Sequence, residues 1–324
     1  MSTVRKPKVL VTHPETPISA INLLQKSCDV TICVGLPTPT REEILFKSKG
    51  MDGILWATHC ELNAEALDAA GPQLRSISTK SAGIDFVDVA EVKRRGIPLG
   101  HTPGVLSNAV ADMAVGLMVA ASRRFTEARW IVERCNWNLD SPCWMLGQDI
   151  QGSTVGIVGL GGIGQAILKR LKGFEVGSFL YTGHSAKGND DALGATFVTF
   201  DELLEKSDFV IVCCPLNNET KEMFNAEAFS KMKSTSIFIN VARGGIVQQE
   251  ALIDALVNKR IYAAGLDVMS PEPLPTDSVL LKLENVVLIP HLGSATIKTR
   301  EDMAILAAQN VLNGLAGEKM ICPA

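Results

Sequence analysis

The chain alternates short apolar runs with longer stretches whose apolar residues recur every three or four positions, almost from end to end. Short runs rich in valine, isoleucine and leucine, bounded by turn residues, predict strands; the longer periodic stretches predict helices. In the first third the strands fall at residues 8–12, 30–34, 53–56, 74–78 and 97–99. A helix is predicted over 85–95, with Gly96 as the glycine just past its end. Residues 107–122 follow as a helix that is apolar nearly all round, which predicts burial on several sides. It starts at Ser107 or Asn108, both good N-caps. The alternation then repeats, with strands at 154–158, 178–181, 209–213, 236–240, 262–268 and 286–289 and a last helix over 299–315.

This rhythm is that of an α/β protein, with parallel sheets and crossover helices in two successive units. The stretch 125–149 follows neither pattern and holds Trp130, Trp137 and Trp144, three of the chain's 4 tryptophans. Such rings cover a domain junction or a subunit interface.

Composition narrows the function. A length of 324 residues with 46% hydrophobic and 20% charged positions describes globular domains that bury their own cores. A net charge of −4 lacks the basic footprint of a nucleic-acid binder. No apolar window is long enough to span a membrane, and no secretory signal opens the chain, so a cytoplasmic protein is expected. The 8 cysteines form no metal-type cluster and read as reduced thiols.

The first chemical signal is Gly159-Leu160-Gly161-Gly162-Ile163-Gly164. A GxGxxG string alone is weak, but this one follows a predicted strand and opens a helix predicted over 162–172. In that setting Gly159 makes the tight turn, Gly161 admits a pyrophosphate and Gly164 lets helix pack on strand. The acid that grips the ribose of NAD about 20 residues further on is missing. The window there reads Gly183-His184-Ser185-Ala186-Lys187, and Asp190 and Asp191 come late. His184, Ser185 and Lys187 suit a 2′-phosphate, so NADP(H) is expected ahead of NAD(H).

Three polar residues follow successive strands of the second half: Arg243, Glu272 and His291. Ligands of doubly wound sheets bind at such carboxyl ends. Arg243 can hold a carboxylate or carbonyl through its fork. A protonated His291 can donate to a carbonyl oxygen as hydride reaches the carbon, and Glu272 can stabilise the imidazolium. Taken singly, each has a structural reading as a surface charge or turn cap; their joint position behind a dinucleotide motif points to catalysis.

With these residues in view, the chain resembles the D-isomer-specific 2-hydroxyacid dehydrogenases over nearly its whole length. Ser81-Ala82-Gly83-Ile84-Asp85, the glycine motif and the segments around Arg243, Glu272 and His291 carry the likeness. Within the family, FLYTG at 179–183 and LIPHLGSAT at 288–296 are most similar to the glyoxylate and hydroxypyruvate reductases. The resemblance implies that Arg243, Glu272 and His291 are the catalytic trio. It implies that Ala82 and Gly83 offer backbone N–H groups to the substrate carboxylate, with Ser294 a further substrate contact. Val241, Asp267 and Gly293 would line the nicotinamide side and Pro215 the adenosine half. The resemblance implies two doubly wound parallel-sheet domains, residues 1–106 with 295–324 as a flavodoxin-like substrate domain and 107–294 as a Rossmann dinucleotide domain, with the active site in the cleft between them. A homodimer acting on a small 2-keto or 2-hydroxy acid is implied too. Departures from the family pattern are His184 and Gly162 where arginine is frequent, Ala82 where a bulkier residue is common, and Asp112 in place of glutamate. Two alternatives share the fold: another 2-hydroxyacid dehydrogenase, and a dinucleotide-sensing corepressor-like interaction module.

Overall fold

The structure, a computed structural model, describes residues 5–137, 141–188 and 193–324. Two compact units emerge, Met1–Leu106 with Ala295–Ala324, and Ser107–Ser294.

The first unit runs β1 (Lys8–Val11), α1 (Ile18–Gln25), β2 (Asp29–Ile32), α2 (Arg41–Ser48), β3 (Gly53–Trp56), α3 (Ala64–Ala70), β4 (Ser76–Thr79), α4 (Val89–Arg94) and β5 (Leu99–Gly100). The strands form one parallel sheet in the order β2-β1-β3-β4-β5. β3 and β4 are buried at every residue, which explains why they read as continuous runs rather than alternating ones. Side chains still alternate between faces: Leu10, Ile54 and Ile77 join a core with Ile44 and Leu67, whereas Val9, Val11 and Leu55 join one with Leu24.

That second core is completed from the end of the chain. The last helix of the sequence, Ile297–Ala316, supplies Ala304, Ala307, Ala308 and Val311 to it. Its Asn310 is fully buried, donates to the His101 carbonyl at 3.0 Å and accepts the Cys322 N–H at 3.1 Å. Ser76 on β4 donates to the Val311 carbonyl at 2.9 Å.

The helix expected over 85–95 is shorter. Phe86 to Asp88 are spent on Leu62, whose N–H donates to the Phe86 carbonyl and whose carbonyl accepts the Asp88 N–H. Asp88 then caps α4 by accepting the Glu91 N–H at 2.9 Å. Gly96, at φ 68°, closes it as the sequence indicates.

In the second unit α5 (Ser107–Ser122) and α6 (Phe125–Glu133) precede β6 (Thr154–Val158), α7 (Gly162–Leu171), β7 (Ser178–Thr182), β8 (Thr196–Phe197), α8 (Phe200–Lys206), β9 (Phe209–Val212), α9 (Ala226–Lys231), β10 (Ile237–Asn240), α10 (Gln249–Val257), β11 (Ala263–Leu266) and β12 (Val286–Leu288). The helix Ile297–Ala316 of the first unit is therefore α11. The sheet is parallel in the order β12-β11-β10-β9-β6-β7-β8, so the direction of winding reverses between β6 and β9. α5 buries Ala109, Val110, Ala111, Ala114, Leu117 and Met118, as its all-round apolar sequence requires. Its Asp112 pairs with Arg170 of α7. α6 lies where the sequence indicated no element and has no buried residue. Strand β8 was also unforeseen, being only two residues long. All 8 cysteines are free thiols. No described helix is long and apolar enough to cross a membrane.

Candidate active site

The carboxyl edge of the second sheet gathers the residues singled out in the sequence. β6 ends at Val158 and turns at Gly159, whose φ of 98° is open mainly to glycine. A side chain there would also meet the Cys214 backbone at 2.8 Å. Gly164 packs α7 so close that a methyl group would strike the Gly159 carbonyl. A methyl group at Gly161, by contrast, would meet nothing within 4 Å among the described residues. No described side chain caps the first turn of α7, which leaves its amides for an anion. A cradle of open space over an uncapped helix start is what a dinucleotide pyrophosphate needs, so the residues present fit such a cofactor.

A cavity of about 540 Å³ continues from this cradle. Gly159, Gly161, Gly183, His184, Ser185, Lys187 and Pro215 line it. Gly162, Ile163, Val241, Asp267 and Gly293 do not. Residues 183–187 are exposed, and the side chains of His184, Ser185 and Lys187 make no hydrogen bond or ion pair among the described residues. The loop itself is anchored, since the Lys187 N–H donates to the Tyr181 hydroxyl at 2.6 Å. Asp190 and Asp191 lie outside the described residues. The sequence reading missed Cys214, Asn217, Glu219 and Thr220, which also line the cavity. Burial pushes the Cys214 thiol up to about 11, so it is no thiolate at neutral pH.

At the other end of the edge, three loops interlock. Asn240, the last residue of β10, is buried; its carboxamide oxygen accepts the Ala242 N–H at 3.0 Å and its NH₂ donates to the Arg243 carbonyl at 3.0 Å. Arg243 is thereby presented on a fixed turn, and its Nη1 donates to the Ala242 carbonyl at 2.8 Å. Gly244 is pressed against the carbonyl of Met269, leaving no room for a side chain. Met269 in turn donates its N–H to Glu272 Oε1 at 2.9 Å. Glu272 Oε2 lies 2.8 Å from His291 Nδ1.

His291 itself is held at φ 53°, a left-handed conformation that a non-glycine residue adopts only when its surroundings impose it. Those surroundings centre on Asp267, which is 1% exposed. Its carbonyl accepts the His291 N–H at 2.8 Å, and its carboxylate accepts the N–H groups of Leu292 and Gly293 at 2.6 and 2.9 Å. Burial pushes the Asp267 carboxyl above its ordinary range, although the two N–H donors pull the other way. For Glu272 the balance is reversed. Burial raises it, but the hydrogen bonds from His291 and from the Met269 N–H, with the charges of His291 and Arg243, bring it below the usual carboxylate range. Arg243, Glu272 and His291 thus come together, and Ser294 ends this unit three residues on.

Ala82 and Gly83 belong to the first unit, in the loop after β4. Ser81 Oγ donates to the Gly83 carbonyl at 2.7 Å, and His101 Nδ1 lies 2.9 Å from the Ala82 carbonyl. With both carbonyls tied back, neither the Ala82 nor the Gly83 N–H has a backbone partner among the described residues. His101 was not foreseen. Its signal was a lone histidine directly after a strand. Among the described residues no group of three His, Cys, Asp or Glu could hold a metal ion.

A dinucleotide-type cradle and a histidine–carboxylate pair at one sheet edge are the arrangement of a nicotinamide-dependent oxidoreductase. Comparison with known proteins makes this specific. The sequence model of the D-isomer specific 2-hydroxyacid dehydrogenase NAD binding domain matches residues 115–293. The glyoxylate reductase/hydroxypyruvate reductase of Mus musculus is 45% identical over 322 residues, covering 99% of this chain and 98% of that protein. Two crystal structures are also similar. The NADPH-dependent glyoxylate/hydroxypyruvate reductase of Sinorhizobium meliloti, in complex with NADP and malonate, has a TM-score of 0.85 at 30% identity, over 99% of this chain and 97% of that one. A glyoxylate reductase from Paecilomyes thermophila has a TM-score of 0.89 at 26% identity, over 99% of both chains. The chain belongs to the D-isomer-specific 2-hydroxyacid dehydrogenases and is an enzyme of 2-keto acid reduction.

Proposed function

We propose that this enzyme reduces glyoxylate, hydroxypyruvate and similar small 2-keto acids to D-2-hydroxy acids with NADPH preferred over NADH. The observation that carries the reading is the His291–Glu272 pair, 2.8 Å apart and sharing its edge with Arg243. With Nδ1 engaged by the Glu272 carboxylate, the imidazole is oriented and Nε2 is the nitrogen that exchanges a proton with substrate. His291 then protonates the carbonyl oxygen during reduction and recovers the proton in the reverse direction. Glu272 stabilises the imidazolium, and Arg243 holds the substrate carboxylate or carbonyl against rotation. Ala82 and Gly83 contribute N–H donors to the carboxylate, with Ser294 a further contact. A bound reduced nicotinamide supplies the hydride.

The preference for NADPH rests on His184, Ser185 and Lys187 at the cavity rim, two of them able to carry positive charge where a 2′-phosphate would sit. The similar Sinorhizobium meliloti enzyme is NADPH-dependent. Val241, Asp267 and Gly293 would border the nicotinamide and Pro215 the adenosine half. We also infer a homodimer, from α6, which buries none of its residues and carries Phe125 at 54% and Val132 at 52% exposure. Initial rates of reduced-nicotinamide loss decide the main point. Glyoxylate, hydroxypyruvate and pyruvate would each be tried with NADPH and with NADH. Fast turnover of the first two with NADPH is expected. Silence across the grid, with NADPH still bound, would overturn the reading.

A further inference from the structure

The carboxyl edge of the first unit's sheet carries a basic cluster that the reaction as proposed does not use. Lys80 is the first residue after β4, its N–H donated to the Trp56 carbonyl at 2.9 Å. Its side chain is half-buried, and Nζ makes no hydrogen bond or ion pair with a described residue. Burial pushes the ammonium down to about 8, and the Arg300 guanidinium nearby pushes it the same way; Glu15 opposes them. Arg300 sits in the first turn of α11. β3 and β4 are paired with Trp56 opposite Thr79, so Thr58 and Ser81 leave the two strands at one level. The Thr58 hydroxyl is buried and has no hydrogen-bond partner among the described residues.

A partly dehydrated ammonium with a second cation near it is unfavourable unless an anion joins it. A lysine whose aliphatic stem lets it reach water normally does so, and a buried one is normally paired. Lys80 does neither. Two residues further on lie the N–H groups of Ala82 and Gly83, which have no backbone partner among the described residues, and the side chain at 82 is a single methyl group.

We propose that Lys80, with Arg300, forms a subsite for a second anionic group on the substrate, so that this enzyme favours 2-keto acids carrying a distal carboxylate or phosphate. This rests on the reading that the substrate's own carboxylate takes the N–H groups of Ala82 and Gly83. The distal group accepts from Lys80 Nζ and Arg300, and the Thr58 hydroxyl is an additional donor on the neighbouring strand end.

The test uses the full chain with saturating NADPH and two substrate pairs: pyruvate against oxaloacetate, and hydroxypyruvate against its 3-phosphate. Within a pair, the ratio of kcat/KM values isolates the added anionic group. The substrate with the added anionic group should be favoured in at least one pair, the pair concerned telling carboxylate from phosphate. Lys80→Met should reduce that preference by about 10- to 100-fold, the worth of a hydrogen bond to a charged group, and Lys80→Arg should retain most of it. A ratio that is the same in wild type and Lys80→Met, or a wild type that favours the monoanion in both pairs, overturns the subsite. Should no 2-keto acid turn over, the proposed reaction fails separately. Equilibrium binding of D-malate against D-lactate then decides the subsite: a preference for malate that Lys80→Met abolishes supports it, and no preference refutes it.

Discussion

The two ends of the second sheet's carboxyl edge are built on opposite principles. Around β10, β11 and β12 every functional group is tied down before any ligand arrives. Asn240 holds the Arg243 turn, Asp267 holds the His291 loop, and Met269 and His291 hold Glu272. Around β6 and β7 the backbone is fixed, by Gly159 and by the Tyr181 hydroxyl, but the side chains of His184, Ser185 and Lys187 extend into solvent. Under the proposed reaction the contrast follows the chemistry. Proton transfer needs donor and acceptor within a few tenths of an ångström, and that precision must exist beforehand. Recognition of a phosphate tolerates adaptable cations at a rim, where long side chains order only on binding.

If this contrast is right, substitutions at the two ends should differ in size and in kind. His291→Gln should lower kcat by roughly 10²–10⁴ while the dissociation constant for NADPH stays the same. An unchanged kcat would remove His291 as the acid. Arg243→Ala should lower kcat/KM for glyoxylate by roughly 10²–10³, chiefly through KM, as expected for loss of a charged anchor. If kcat/KM survives, the substrate site is elsewhere. At the adaptable end, Ser185→Ala with Lys187→Ala should raise KM for NADPH by about tenfold and leave that for NADH nearly alone. Equal weakening of both cofactors would show that the rim does not read the 2′-phosphate.

The smallest effect concerns stability in acid. The Glu272 carboxyl titrates below its ordinary 4.5 in the folded protein. A lowered folded value means that its contribution is complete above pH 4.5 and is lost as the pH falls through the folded value. Tm measured from pH 6 to pH 3 should therefore fall slightly less steeply for Glu272→Gln than for wild type. Parallel curves would mean that the pairing with His291 adds nothing to stability.

Much of this site was legible along the chain because its chemistry is punctuated by strand ends. The GxGxxG string, Arg243, Glu272 and His291 each follow an apolar run, and the parallel sheet does the rest. The supporting residues were harder to see. Asn240 and Asp267 close apolar runs and look like turn residues, yet their work is to bind backbone groups of loops near or far in sequence. Gly244 matters only because a loop 25 residues later passes against it, a fact of tertiary packing. α4 starts late because Phe86 to Asp88 are claimed by Leu62, a long-range bridge that local periodicity does not encode. Lys80 was passed over for the same reason: a lysine after a strand looks solvated until Arg300, 220 residues away, is placed beside it.

The return of α11 to the first sheet also sets an order of events during synthesis. The ribosome emits the first five strands well before the helix that covers Val9, Val11 and Leu55. The whole Ser107–Ser294 unit is made in between and is contiguous, so it can finish folding while the earlier sheet still waits. Until Ala304, Ala307 and Val311 emerge, a nascent chain would carry one bare apolar face, a natural resting place for a chaperone. A stop codon near the end of the message would therefore damage the oldest part of the protein rather than the newest.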